Sequence, residues 1–151
     1  MKQLFVFLFI GISTALFLQQ IDYNTKKGYV AEGYDVVSYF ENEKPLAGNK
    51  NFQTSYDGTR FLFTTAKNLA LFKDNPKKYI PQYGGYCAYA VPAKKTKMDI
   101  DPESYEIRDG KLYLFYNSLL NNKLTDWKEG ETKILQEKGD INWVELKHKK
   151  N

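Results

Sequence analysis

The sequence predicts an α+β fold, in which small antiparallel β-hairpins pack with short helices and a C-terminal helical extension closes the domain. Three observations predict it. Two Asp-Gly dipeptides are each flanked by strand-like alternation of apolar and polar residues, among the strongest short-range signals for a hairpin turn. Between and after them the apolar period lengthens to that of helices. The βαβ alternation that a doubly wound sheet requires is missing from the pattern.

In chain order, the first segment has one positive charge at Lys2 and then the run LFVFLFIGISTALFL. That length is near the ~7–15 residues of a secretory signal core and short of the ~20 needed to span a bilayer. A cleaved signal over residues 1–19 is the expectation, with no stable membrane span after cleavage. An uncleaved anchor is the alternative, because STALFLQQID offers no clean A-x-A site. The chain is accordingly expected to be exported, periplasmic or secreted. Residues 20–146 then form one domain, followed by a basic tail at 147–151. About 130 residues suffice for a core without metal or disulfide staples.

The first hairpin is NFQTSY, Asp57-Gly58, TRFLFT, with Phe52, Thr54 and Tyr56 on one face and Phe61 and Phe63 on one face of the return. Thr65 to Asp74 reads as a helix with Leu69 and Phe72 on its buried edge, stopped at Asn75-Pro76 because the residue before proline disfavours the helical region. Lys77 to Ile80 adds one turn. The second hairpin is SYEIR, Asp109-Gly110, KLYLFYN, in which Leu112, Leu114 and Tyr116 share a face. Ser118 to Trp127 and Glu131 to Lys138 are helical, separated by Gly130 and ended by Gly139-Asp140, with Trp127, Ile134, Leu135 and Trp143 as core contacts.

Composition excludes several functions. The net charge is +4, but only Arg60 and Arg108 are arginines, and the lysines are scattered among acids. Arginine is the residue of choice for phosphate and base recognition, so no nucleic-acid partner is expected. One cysteine and one histidine exclude a structural Cys₄ or Cys₂His₂ zinc site. The acidic loop Asp99, Asp101 and Glu103 lacks the calcium-loop pattern. Phosphate-binding loop, nucleophile elbow and dinucleotide signatures do not occur.

A lone cysteine in an exported chain is a free thiol, an intermolecular bridge or a ligand. Cys87 follows Gly84-Gly85 in YGGYCAYAV. As a helix, which Pro92 and the alanines favour, this segment sets Tyr83, Tyr86 and Tyr89 on one stripe beside the thiol; as a strand, Gly85, Cys87 and Tyr89 share a face. Tyr83, Tyr86, Tyr89, Gly84 and Gly85 are therefore the ligand-lining candidates. Cys87 is either a small buried core residue or a reactive or metal-binding thiolate, with Met98 as a weaker thioether partner for a soft ion such as Cu(I).

The strings GYDVVSYF (33–40), YDG (56–58), NPKKY (75–79) and PQYGGYCAYA (81–90) resemble the YHS domain family, and more narrowly its exported bacterial subgroup with a signal peptide before one YHS domain. The likeness runs from about Tyr29 to Tyr116. It implies heavy-metal handling, with cysteine ligands early in the domain and after the first hairpin. Here those places hold Ser38 and Tyr39, then Thr64 and Thr65, and the histidine of the family's name is Asp57. Cys87 within GGYCAYA is what carries over, and the resemblance implies a metal or redox role for it. The leading expectation is an exported binding module rather than a turnover enzyme, holding a soft metal ion, copper first, or acting in thiol redox chemistry through Cys87, with a metal-handling or redox partner. The alternative is an interaction or small-ligand domain with a buried, structural Cys87 and no metal. No motif specifies the physiological ligand or the oligomeric state.

Overall fold

The computed structural model describes residues 19–151; the expected signal segment lies outside them. No helix among the described residues is long and apolar enough to cross a membrane.

The chain opens with β1 (Thr25–Lys26) and β2 (Tyr29–Val30), a hairpin the sequence pattern did not announce. Its turn, Lys27-Gly28, has positive φ at both residues, as do Asp57-Gly58 and Asp109-Gly110. This is the conformation whose twist suits a two-residue hairpin. After a left-handed turn at Ala31–Gly33 comes α1 (Ser38–Glu41). Then β3 (Asn49–Tyr56) and β4 (Thr59–Phe63) form the first expected hairpin, with Phe52, Thr54 and Tyr56 half-buried between exposed neighbours. β2 joins β4 in parallel, so the sheet runs β1-β2-β4-β3 and is not purely antiparallel.

α2 (Ala66–Asp74) begins where the Thr65 hydroxyl accepts from the Asn68 amide at 3.1 Å, a cap worth ~1 kcal/mol. It ends at Asn75, and Pro76 starts α3 (Pro76–Tyr79) at the first helical position, where its missing N–H costs nothing. α4 (Ala90–Lys94) leads to the second hairpin, β5 (Asp101–Arg108) with β6 (Lys111–Phe115).

Alternation along β6 divides the core. Leu112 and Leu114 enter one cluster with Val36, Phe61, Phe63, Phe72 and Cys87, while Tyr113 and Phe115 enter a second with Tyr83, Val91 and Trp127. These four side chains of β6 are at most 1% exposed, as expected of a strand covered on both faces. The second cluster is closed by α5 (Lys123–Glu129) and α6 (Thr132–Leu146), the expected C-terminal helical extension.

Three expectations for that extension are corrected. Ser118 to Asn122 is not helical: β7 (Asn117–Ser118) and β8 (Asn121–Asn122) form a narrow hairpin, and the helix starts at Lys123, capped by Asn122, whose Oδ1 accepts from Leu124 and Thr125. Gly139-Asp140 does not end α6, because Gly139 is a buried mid-helix position pressed against the Tyr83 ring. Ile134 is half exposed rather than a core contact. The basic tail is tied down as well, with the Lys147 carbonyl accepting from the Asp22 amide at 2.6 Å.

Candidate functional site

The glycine- and tyrosine-rich segment is not the continuous helix expected. Tyr83, Gly84 and Gly85 all have positive φ, of 53°, 61° and 80°, and three left-handed residues in a row cannot continue a right-handed helix. Gly84 is required there, because a Cβ would come within 2.8 Å of the Asp22 carbonyl oxygen and 3.1 Å of the Trp143 ring. The chain then runs extended through Tyr86 to Cys87, whose carbonyl accepts from Ala90 and Val91 to start α4.

Cys87 has no solvent exposure and sits in the first core cluster. Its amide donates to the Met98 carbonyl at 2.9 Å, and the next amide, Ala88, donates to Leu114 of β6 at 2.8 Å. The backbone thus places Cys87 and Met98 side by side, with Met98 half-buried against the same cluster. Among the described residues no three His, Cys, Asp or Glu side chains converge in a metal-holding group.

The tyrosines are not brought to one stripe beside the thiol. Tyr83 belongs to the second cluster, and its hydroxyl lies 3.2 Å from Asp140 Oδ1 and 3.3 Å from the Gln136 carbonyl. With Gly84 it lines a shallow cleft of about 240 Å³ bordered by Trp143. The Tyr86 hydroxyl donates to Asp22 Oδ2 at 2.7 Å, and the same oxygen accepts from Lys97 at 2.6 Å. Lys97 is buried, with its ammonium 5.0 Å from the Tyr86 ring centre and 5.6 Å from that of Trp143, and it also donates to the Lys149 carbonyl. Tyr86 therefore helps to tie the segment at Asp22 to the C-terminal tail. Burial first, and the acidic neighbours Asp140 and Asp22 next, push the Tyr83 and Tyr86 phenols well above the ordinary tyrosine range. Tyr89 is half-buried, with the Lys123 ammonium 5.3 Å from its ring. Gly85 is buried and its carbonyl accepts from the Asn24 side chain.

Sequence reasoning passed over two groups. One is Asp35, fully buried, whose Oδ1 accepts from the amides of Val37 (2.9 Å) and Ser38 (3.3 Å). Its Oδ2 accepts from the Thr64 amide (2.8 Å), the Thr64 hydroxyl (2.7 Å) and Asn68 Nδ2 (2.7 Å). The two stretches where the family resemblance implies cysteine ligands, Ser38-Tyr39 and Thr64-Thr65, thus meet in space. They meet as hydrogen-bond donors around a carboxylate. The Ser38 hydroxyl donates to the Asp35 carbonyl and accepts from Leu46, and Tyr39 donates to the Pro102 carbonyl. The available signal was a lone acid in an apolar string.

The other group is a groove of about 630 Å³ between the β1–β2 hairpin and the start of β3, lined by Tyr29, Tyr34, Lys27, Lys50 and Arg60 over a floor of Gly33, Ala47 and Gly48. Arg60 also borders a neighbouring cavity of about 300 Å³ with Gln20, His148 and Lys150.

Residues 37–83 match the family model of the YHS domain. The match begins just after Asp35, takes in the first hairpin, α2 and α3, and stops short of Cys87. Comparison with curated proteins and with solved structures gives no match. Residues 37–83, within a fold of small hairpins and short helices, are thus similar to a YHS domain.

Proposed function

We propose that this chain is an exported binding module, not a turnover enzyme, in which Cys87 is a core residue and the ligand is taken at a tyrosine-lined surface. The observation that carries this reading is the complete burial of Cys87 among aromatic and aliphatic side chains. A thiol acts as a nucleophile or ligand only where a partner can reach its sulfur, and a fully enclosed side chain gives no such access. The Asp35 network supports the same view, since Ser38 and Thr64 stand where metal-binding relatives would place sulfur and are committed to a carboxylate. Export is supported by the apolar run at 4–18 after Lys2.

A second reading has its own observation. YHS domains are often linked to metal handling, and the hydrogen bond from Cys87 to Met98 sets a thiol-bearing and a thioether-bearing residue side by side, a pair suited to Cu(I). Titration of the protein and of Cys87→Ser with Cu(I) under reducing conditions separates the two. The core reading expects equal, weak binding by both, with Cys87→Ser losing ~1–3 kcal/mol of stability from a polar group placed in the core. Stoichiometric tight binding that Cys87→Ser abolishes would establish the metal reading in its place.

A further inference from the structure

We infer that the groove beside Arg60 takes a small organic phosphate, with the Arg60 guanidinium as its anchor. The inference rests on the binding-module reading, specifies its ligand and is independent of Cys87.

The chain has two arginines, and they are used differently. Arg108 is satisfied within the protein, donating to both oxygens of Glu106 at 2.8 and 3.2 Å. Arg60 has no carboxylate partner and no side-chain hydrogen bond among the described residues. It is nevertheless held in place, because its guanidinium carbon lies 4.6 Å from the Tyr29 ring centre and the group fills the space a side chain at Gly28 would need. A Cβ there would come within 2.5 Å of Arg60 Nη2. A planar fork of donors, stacked on an aromatic ring and left without an acceptor, is an arrangement suited to bidentate recognition of phosphate.

The surroundings complete the site. Lys27 and Lys50 line the same groove without acidic partners among the described residues, and the one carboxylate that also lines it, Glu32, is paired with Lys26 at 2.8 Å. Three uncompensated cations match a phosphate dianion better than a single carboxylate. Gly48 lets the start of β3 press closely on β4 at the groove's base, since a Cβ there would meet the Gly33 carbonyl and the backbone of Leu62 at 2.8 Å. The turn between β2 and α1 holds Ala31 and Glu32 at φ of 50° and 56°, left-handed backbone that residues other than glycine adopt infrequently. At about 630 Å³ the groove lies within the ~300–1,000 Å³ range of small-molecule sites. It is far larger than inorganic phosphate, and Tyr29 and Tyr34 supply faces for an organic portion.

A phosphate ester can be a soluble metabolite or a lipid headgroup, and the adjoining cavity that shares Arg60 also holds Gln20, two residues after the apolar run at 4–18. The experiment separates these sources. The purified protein is titrated with phenyl phosphate and with inorganic phosphate, followed by calorimetry, beside Arg60→Lys and the control Arg108→Lys. Expected is saturable binding at low salt, tighter for phenyl phosphate. Arg60→Lys, which keeps the charge but loses the fork, should bind at least about tenfold more weakly, with Arg108→Lys unchanged. Cosedimentation with phosphatidylcholine vesicles, with and without phosphatidylglycerol, assigns the source. Binding to the anionic vesicles that phenyl phosphate displaces indicates a headgroup, and phenyl phosphate binding without vesicle binding indicates a soluble ester. No saturation by ~10 mM phenyl phosphate, an affinity weaker than about −3 kcal/mol, or equal affinity of Arg60→Lys and the unsubstituted protein, overturns the inference. Such a result would leave the thiol and Cu(I) outcomes for Cys87 unchanged.

Discussion

Replacing Gly139 by alanine separates two accounts of the C-terminal helix by the sign of its effect. If Gly139 only weakened α6, alanine would stabilise the helix by ~1 kcal/mol through propensity. The structure gives it a different task. A Cβ at 139 would meet the Tyr83 hydroxyl and come within 2.7 Å of ring carbon Cζ and 3.2 Å of Cε2. The ring has little room to yield, since it packs on Tyr113 and Trp143 at centroid distances of 6.1 and 6.2 Å and its hydroxyl is engaged by Asp140 and Gln136. Overpacking of this kind costs ~1–3 kcal/mol, and disturbing the hydroxyl adds ~1 kcal/mol. After the propensity gain, Gly139→Ala should destabilise by ~1–3 kcal/mol. With a urea slope of ~1–3 kcal/mol per molar, the midpoint should fall by roughly 1 M at an unchanged slope. Tyr83→Phe in the same chain removes the nearest atom of the clash, so the double variant should lose less than the sum of the singles. A midpoint that rises, or two additive losses, would refute the role assigned to Gly139.

Asp35→Asn should cost ~2–5 kcal/mol, because the amide turns an –NH₂ toward amide and hydroxyl donors that now meet a carboxylate, and each donor left unpaired costs ~1–3 kcal/mol; a change within ~0.5 kcal/mol by urea unfolding would contradict this. Alkaline pH should unfold the domain. Burial first of all raises the phenols of Tyr23, Tyr39, Tyr83 and Tyr86 above the unfolded value of ~10. The native state keeps these protons where the unfolded chain releases them, so their contribution is complete below pH ~10 and falls as pH rises beyond it. Tyrosinate absorbance should therefore show these four phenols ionising in one late step that coincides with loss of structure; their ionisation in the ordinary tyrosine range while the protein stays folded would be the opposing result.

What was legible in the sequence was local. Asp57-Gly58 and Asp109-Gly110 fixed two turns through their left-handed preference, and Thr65 with Asn75-Pro76 bounded α2 to within a residue. Long-range packing was not legible. Gly139 reads as a helix stop until Tyr83 is seen against it, and Tyr83 reads as helical until its backbone is seen to turn left-handed. The Lys27-Gly28 hairpin escaped notice because its strands are two residues each, too short for a period. At the candidate site, the sequence singled out Cys87 by its count but could not give its burial. It mentioned Arg60 only as one of two arginines, because being unpaired is a property of the neighbourhood and not of the residue.

Whether Cys87 is a core residue is tested most directly by the rate at which a thiol probe modifies it in the native protein at neutral pH. A thiol reachable only by unfolding reacts in proportion to the open population, which for a domain stability of ~5 kcal/mol or more is below about one part in a thousand. The expected result is a native rate at least a thousandfold below that of free cysteine, restored to the free value in denaturant. A native rate equal to or faster than that of free cysteine would contradict the account and return Cys87 to redox or metal chemistry.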